Sequence, residues 1–467
     1  MAPTATRLPA QAARAMQAVS PVQGVVDDWT NWERFREKVV QYSITTLDAA
    51  LWTCINTTVL FIMAFVGVVS YLFIEPIIKT FAPYFTKPFK FQKGSTTVAI
   101  QPSLISSSTP DFFPAYTRYL SSGGWETLGP KLADARNMNE PVWDGDVARF
   151  MIHLSALSYE HPDVVVNFAT QWRLETVKIL RKSFACHIFY SSQYKFATVC
   201  FKGTSPFDLS EVLTDLMMMK VRPDGGVIPG QVHEGFYNTF QWDSPTRKDE
   251  AWARKHQCEV DAIFNLLRST VITRLGSGAS IWVTGHSLGG ALATVFLSHM
   301  TYLAQSPLTN SARLRAAYVF GSPRVGDSTF ANITNASVAA SKATCFRIVN
   351  ANDLVPTLPL SSNIPFSTYK YAQAVSHGKS PNMVTDFEHV GTPVLVGYDG
   401  IVRMNAERNW ALAGKNVFGW AIEWPRFLFD VVRRRETLAS LVGRNLMLFP
   451  YDHSPAEYNR HLAPKVK

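Results

Sequence analysis

Between Asp48 and Glu75 the chain carries no charged side chain, and Ala49–Ile74 is apolar but for Thr53, Asn56, Thr57, Thr58 and Ser70, interruptions that a spanning helix tolerates. As a helix that run would measure roughly 39 Å at ~1.5 Å per residue, against a bilayer core of about 30 Å. Buried core helices are usually shorter, and a cleaved signal peptide would be shorter and begin earlier. The pattern therefore predicts a retained transmembrane helix over 49–74, preceded by an N-terminal tail, 1–48. From 75 to 143 the apolar period disappears. Pro, Ser, Thr and Gly dominate FAPYFTKPFKFQKGSTT and PSLISSSTPDFFP, which predicts a partly extended juxtamembrane connection.

From Asp144 onward two periods alternate. DVARFMIHLSALSYE has apolar residues at helical spacing, and HIFYSS and KFATVCFKG read as neighbouring strands. Helical SEVLTDLMMMK follows, then TRKDEAWARKHQCEVDAIFNLLRS, a polar helix. SIWVT then gives a strand, ALATVFLSHM a helix, and LRAAYVFGSP and ATCFRIVNAND two more strands. Strands alternating with helices predict an α/β domain over 144–467, with a mostly parallel central sheet covered by helices on both faces.

Composition adds two constraints. Hydrophobic residues make up 47% of the chain and charged residues 17%, the apolar balance expected of a membrane-attached protein. The net charge of +9 comes with no basic tract and no zinc-type Cys/His spacing, so it favours an anionic lipid surface over nucleic acid. Cys54, Cys186, Cys200, Cys258 and Cys345 are odd in number and scattered, as buried thiols are. Arg34, Arg36 and Lys38 precede the apolar run, and Lys79, Lys87, Lys90 and Lys93 follow it. That small excess favours the cytosolic side for the larger C-terminal part. The overlapping sequons NITNAS, at Asn332 and Asn335, would matter only on the lumenal side. An acid-free start holding Arg7 and Arg14 leaves the organelle open.

The sharpest chemical signal is IWVTGHSLGGAL, at 281–292. Ser287 stands between a β-rich run and an amphipathic helix, with Gly285 and Gly289 in G-x-S-x-G register. A strand that turns abruptly into a helix crowds the backbone around the serine, so glycine is needed on either side. Such a turn lifts the serine oxygen above the sheet and aims the Leu288 N–H and the helix N-terminus at a developing oxyanion.

GHSLGGALA is similar to the nucleophile turn of the class 3, fungal-type triacylglycerol lipases. FKGTSPFDLSEVLTDL, VHEGF, FGSPRVGD, NANDLVPTLP and a late DHS resemble that family's other blocks, in the same order, between Asp144 and His461. The resemblance implies an alpha/beta-hydrolase fold and a Ser, Asp, His order along the chain. Asp353, after a predicted strand and in a loop stiffened by Pro356 and Pro359, matches the family's acid, which would fix the imidazole tautomer. His377, His389, His453 and His461 follow it. His389, in FEHVG, is a rival base, but the family's block of that kind is structural. His453, in FPYDHSPAEY, matches the family's late histidine, and His461 is read as a surface residue. Thr204, after Gly203, matches the oxyanion position, with Leu288 as the second donor; Lys202 stands where the family commonly has Arg. His286, His233 and Asp327 are read as supporting residues.

Phe207, Leu209, Val212, Leu213, Leu216, Met217 and Met219 surround a short predicted helix. It is either an ordinary buried helix or, as the resemblance implies, a lid that opens at lipid. Asn416–Arg435 places Trp420, Trp424, Phe427 and Phe429 beside Arg426 and Arg433–Arg435, which suits an interfacial helix or one packed on the core. No metal or cofactor is implied. Three functions are consistent with these residues: an anchored lipase acting on acylglycerols at a membrane or lipid-droplet interface, a phospholipase A or lysophospholipase, and a silent lipid- or partner-binding protein.

Overall fold

Why the chain can hold a sharp turn at Ser287 follows from the order of its strands. The computed structural model describes residues 88–103, 109, 111–133, 142–181, 184–203, 220–223, 228–240, 259–302, 312–351, 353, 355–359, 386–397, 400–406 and 451–463. Apart from Asp386 they belong to one contact unit, Thr57–Pro359 with Phe387–Lys467. An antiparallel hairpin, Phe89–Lys93 with Thr96–Ile100, comes first. It leads to helices α1 (Phe112–Tyr119), α2 (Trp125–Ala133), α3 (Gly145–Leu157) and α4 (Pro162–Gln171). Strands β1 (Glu175–Arg181), β2 (Phe184–Ser191) and β3 (Phe196–Phe201) follow, then α5 (Glu259–Leu266) and β4 (Ala279–His286). Next come α6 (Leu288–Tyr302), β5 (Ala312–Phe320), α7 (Ser328–Ala340) and β6 (Thr344–Asn350). Strands β7 (Thr392–Val396) and β8 (Val402–Met404) and helix α8 (Pro455–Leu462) come last.

The eight strands form one sheet in the order β8-β7-β6-β5-β4-β3-β2-β1, so neighbours in sequence are neighbours in space. From β3 to β7 every pairing is parallel. Strands β1 and β2 on one side and β8 on the other are antiparallel. The five predicted strands form the centre of this sheet, which is mixed: four of its seven pairings are parallel and three antiparallel. Strands β1 and β8 escaped the sequence reading because they are the edge strands, where charged residues such as Lys178 and Arg403 break the apolar run, and β7 because its five residues, TPVLV, are too short a run to stand out.

The central strands are buried on both faces. Along β4, Ile281 and Val283 enter one core and Trp282 the other. The first core packs Val260 and Ile263 of α5, Phe296 of α6 and Phe330 of α7. Helix α6 is apolar nearly all round and correspondingly buried. On the same face the hydroxyls of Ser298 and Thr334 meet at 2.8 Å, and Asn335 Oδ1 accepts from Gly391 N. The second core packs Phe150 and Leu154 of α3 and Tyr458 of α8. Asp144 starts α3 by accepting from the Asp146 and Val147 N–H groups.

The second core also corrects the expected juxtamembrane connection. Phe113, Tyr116, Trp125, Leu128 and Leu132 of α1 and α2 are buried in it, and Trp282 Nε1 donates to Leu132 O. Each such side chain contributes about 1.5–3 kcal/mol by leaving water. Gly129 and Pro130 read as loop residues yet lie in α2. A Cβ on Gly129 would sit 2.2 Å from the Tyr194 ring, so the glycine makes room for packing instead of a turn. Among the described residues no helix is long and apolar enough to cross a membrane; Ala49–Ile74 lies outside them, as do 1–48 and Asn416–Arg435. Cys186, Cys200 and Cys345 are buried free thiols, while Cys54 and Cys258 fall outside the described residues.

Candidate active site

The strand-to-helix turn has the predicted form. Strand β4 ends at His286, α6 begins at Leu288, and Ser287 between them has φ +59°, a left-handed value rare for a non-glycine residue. Three backbone contacts hold it there. Ser287 N donates to Phe320 O at 2.9 Å and Gly290 N donates to Ser287 O at 2.9 Å. A Cβ on Gly285 would lie 2.1 Å from Gly289 O, so the strand and the first helical turn touch with no side chain between them. Gly289 in turn abuts the end of β3: a Cβ there would lie 2.2 Å from Phe201 O and 2.9 Å from Gly203 N. Leu288 opens α6, where N–H groups have no intrahelical acceptor. Thr204, directly after Gly203, lies outside the described residues, as do the lid residues Phe207, Leu209, Val212, Leu213, Leu216, Met217 and Met219.

Asp353 and His453 meet at the same ends of the strands. His453 Nδ1 lies 2.8 Å from Asp353 Oδ2; the histidine side chain is 12% exposed and the aspartate 0%. A carboxylate only accepts, so it claims the proton on Nδ1 and leaves the neutral ring's lone pair on Nε2. Asp353 also accepts from Tyr458 Oη at 2.6 Å and, through Oδ1, from Val355 N at 2.9 Å. Burial alone would push this carboxyl up. The charge and hydrogen bond of His453, with the Tyr458 and Val355 bonds, outweigh burial and hold it below the ordinary carboxylate value. Gly321, at φ +57°, completes the contact. A Cβ there would lie 2.8 Å from Asp353 Oδ2 and 3.0 Å from His453 Nδ1. Because Phe320 holds Ser287 and the next residue abuts the acid–base pair, the end of β5 gathers all three.

Beside the serine, His286 bonds the backbone of His453 and the Tyr159 hydroxyl. Its Nε2 lies 2.7 Å from His453 O and must carry the proton, which makes Nδ1 an acceptor facing Tyr159 Oη at 3.1 Å. Burial, with the nearby His453 charge, lowers this ring to about 3, so it stays neutral. Tyr159 fills the space above Gly203, where a Cβ would lie 2.0 Å from its hydroxyl. His389 does not join the site. Its Nε2 bonds Pro356 O at 2.8 Å, and burial, Arg347 and Arg324 hold its pKa well below the usual histidine value. Arg324 braces the same loop by donating to the carbonyls of Thr357 and Pro359. Asp327 caps α7 and His233 caps the helix Glu234–Thr239, both structural uses.

The reading of His461 as a surface residue is corrected. It is buried on the inner side of α8, with Nδ1 2.6 Å from Asn350 Oδ1. Tyr458, Asn350, Tyr159 and Gly321 were not singled out from the sequence. Local signals existed for three: Tyr458 lies on the helix that begins two residues after His453, Asn350 opens NANDLVPTLP, and Gly321 lies in FGSPRVGD. Among the described residues no group of three or more His, Cys, Asp or Glu is arranged to hold a metal ion.

Residues 198–363 match the family model described as Lipase (class 3). The chain is similar to the Arabidopsis thaliana triacylglycerol lipase OBL1, 28% identical over 237 residues, covering 44% of this chain and 44% of that protein. It is also similar to phospholipase A1-II 1 of Oryza sativa, 28% identical over 233 residues, covering 47% of this chain and 55% of that protein. Among solved structures, a Rhizomucor miehei lipase propeptide complex overlaps 56% of this chain and 70% of its own, with 21% identity and a TM-score of 0.37. The chain spans about half the length of these relatives. The family match takes in Ser287 and Asp353 and stops before His453. The stretch that carries the serine turn and the acid loop, 198–363, is therefore the part of the chain that is similar to the class 3 lipases.

Proposed function

We propose that this protein is a serine ester hydrolase of the lipase type that cleaves long-chain acylglycerol esters. Ser287 Oγ attacks the ester carbonyl while His453 Nε2 takes its proton, and Asp353 stabilises the imidazolium that forms. The N–H groups of Leu288 and Thr204 receive the oxyanion. Collapse of the tetrahedral intermediate expels the alcohol, which takes the proton from His453. Water then attacks the acyl-enzyme by the reverse proton route and releases the fatty acid. The observation that carries this reading is the gathering of the Ser287 turn and the His453–Asp353 pair about the end of β5.

A fluorophosphonate tests it. The folded, detergent-solubilised chain is expected to label at Ser287, and Ser287→Ala to lose the label; a folded chain that does not label would support the silent lipid-binding alternative. A phospholipase A or lysophospholipase activity is the second reading, favoured by the similarity to phospholipase A1-II 1. Release of fatty acid from triacylglycerol emulsions against phosphatidylcholine vesicles separates the two. We further propose that 49–74 anchors the chain in a membrane as a single span, with the hydrolase part on the cytosolic side and the 205–220 segment serving as a lid. The uncharged run Ala49–Ile74 and the +9 net charge support the anchor. Extraction into the soluble fraction by alkaline carbonate would overturn it, and a glycosylation reporter fused after Lys467 reads the side.

A further inference from the structure

Asp353 and His453 come from segments 100 residues apart in sequence, yet they must meet to within a few tenths of an ångström. Asp353 is placed locally: its N–H donates to the carbonyl of Asn350, the last residue of β6, at 2.8 Å. The same residue also reaches the base. Asn350 Nδ2 donates to the carbonyl of Asp452, the residue before His453, at 2.8 Å. Asn350 is fully buried, and its amide oxygen accepts from His461 Nδ1 at 2.6 Å. The orientation of that amide is set by its partners. Turned over, it would set an oxygen against the Asp452 carbonyl, which can only accept.

Two successive carbonyls are thus pinned from two strands: that of residue 452 by Asn350 at the end of β6, and that of residue 453 by His286 at the end of β4. With both fixed, the backbone at His453 has one orientation, and the imidazole is left only its side-chain torsions, which Asp353 then closes. His461 bonds back from the last turn of α8, so the helix that follows the base is fastened to the strand that precedes the acid.

We infer that Asn350, braced by His461, is a positioning residue that joins the acid loop to the base loop and sets the geometry of proton transfer at His453. The inference rests on the serine hydrolase reading above. A residue that only stabilised the fold would change how much protein is active. One that positions the base changes how fast each active molecule reacts.

The test is the rate constant for fluorophosphonate labelling of Ser287 in the full chain, with the labelled fraction measured separately. In Asn350→Asp the donor to Asp452 becomes an acceptor, and in His461→Phe the brace loses its donor with the ring retained. Both are expected to label about 10- to 100-fold more slowly. For a short soluble ester such as p-nitrophenyl butyrate, kcat should fall in step while KM stays within about twofold. His461→Asn, which restores a donor toward Asn350, should recover most of the rate. Folded Asn350→Asp and His461→Phe proteins that label at the wild-type rate constant would overturn the inference. If Asn350→Asp does not fold, the His461 variants decide: equal rate constants for Phe, Asn and wild type overturn it. A wild-type chain that is folded but does not label overturns the hydrolase reading and the positioning role with it. Normal wild-type labelling with unaffected variants overturns the positioning role alone.

Discussion

The nucleophile turn and the acid–base corner are held by opposite means. Around Ser287 the restraints are backbone on backbone: Phe320 O, Gly290 N and the close approach of Gly285, Gly289 and the end of β3. Around His453 they are side chains reaching across the fold: Asp353, His286, Asn350, Tyr458 and His461. The turn needs small residues on either side of the serine. The corner needs polar residues in fixed tautomers, and it is open to single-atom damage. Steric restraints fail all at once, whereas a hydrogen-bonded corner fails by degrees.

That difference ranks the expected effects. Ser287→Ala removes the proposed nucleophile and should lower turnover by on the order of 10⁶-fold with the fold intact, read by ester hydrolysis and by near-ultraviolet circular dichroism. His453→Ala should also abolish labelling, because the proposed base is lost. His389→Ala loses the bond to Pro356 O and should cost about 1 kcal/mol of stability while labelling persists in the folded fraction. The reverse pattern would exchange the roles of the two histidines. Gly289→Ala tests the steric half. Its Cβ would meet backbone atoms of Phe201 and Gly203 that cannot move aside, so about 3 kcal/mol of destabilisation is expected, with a cooperative loss of activity. A melting temperature within a degree of wild type would show that the turn can relax.

What could be read from the sequence follows the same division. The turn is local: strand, glycine, serine, glycine and helix stand in consecutive residues, so the pattern at 281–292 was enough. Asp353 was legible for the same reason, as the residue that follows a strand and precedes two prolines. His453 was reached through the late DHS block, since nothing near it in sequence points to Asp353. Tyr458, Asn350 and Tyr159 act through contacts more than 100 positions apart along the chain, and no periodicity carries such information. His461 looked superficial because α8 is short and polar on average, yet one of its faces is buried. The 75–143 stretch misled for a different reason. Gly129 there serves packing, and the residue it makes room for, Tyr194, comes later in the chain.

Single-atom changes at the corner should give smaller, graded losses. Tyr458→Phe removes one of the donors to the buried Asp353 carboxylate and should cost about 2 kcal/mol, the usual worth of a hydrogen bond to a charged group. The sign of its pH dependence is fixed by the direction of the shift. Asp353 is held below its unfolded value of about 3.9, so its stabilising contribution is present above that pH and is lost as pH falls through the folded value. Weakening the carboxylate's partners raises the folded value and shrinks that contribution. The deficit of Tyr458→Phe in chemical denaturation should therefore be full at neutral pH and narrow below about pH 4. A deficit that does not change with pH would mean that the hydroxyl matters for packing and not for the charge.

The smallest effect is expected at His286, and it bears on the link between the two regions. Its ring is neutral in the folded protein at about 3 and near 6.5 when unfolded, so between those values the unfolded chain binds the extra proton. Stability must then fall as pH drops from about 6.5 toward 3, by at most about 1.4 kcal/mol per pH unit for this one group. His153 and His187, lowered to about 3 and about 4 by burial, contribute in the same direction, as does His389. His286→Gln keeps a donor toward the His453 carbonyl and removes the titration. The slope of stability against pH in that window should become shallower by one proton's worth, with labelling of Ser287 slowed only a few-fold. If labelling collapses while the slope is unchanged, the imidazole's shape at the serine matters more than the donor it offers the base, and the two regions are joined by packing instead of by that hydrogen bond.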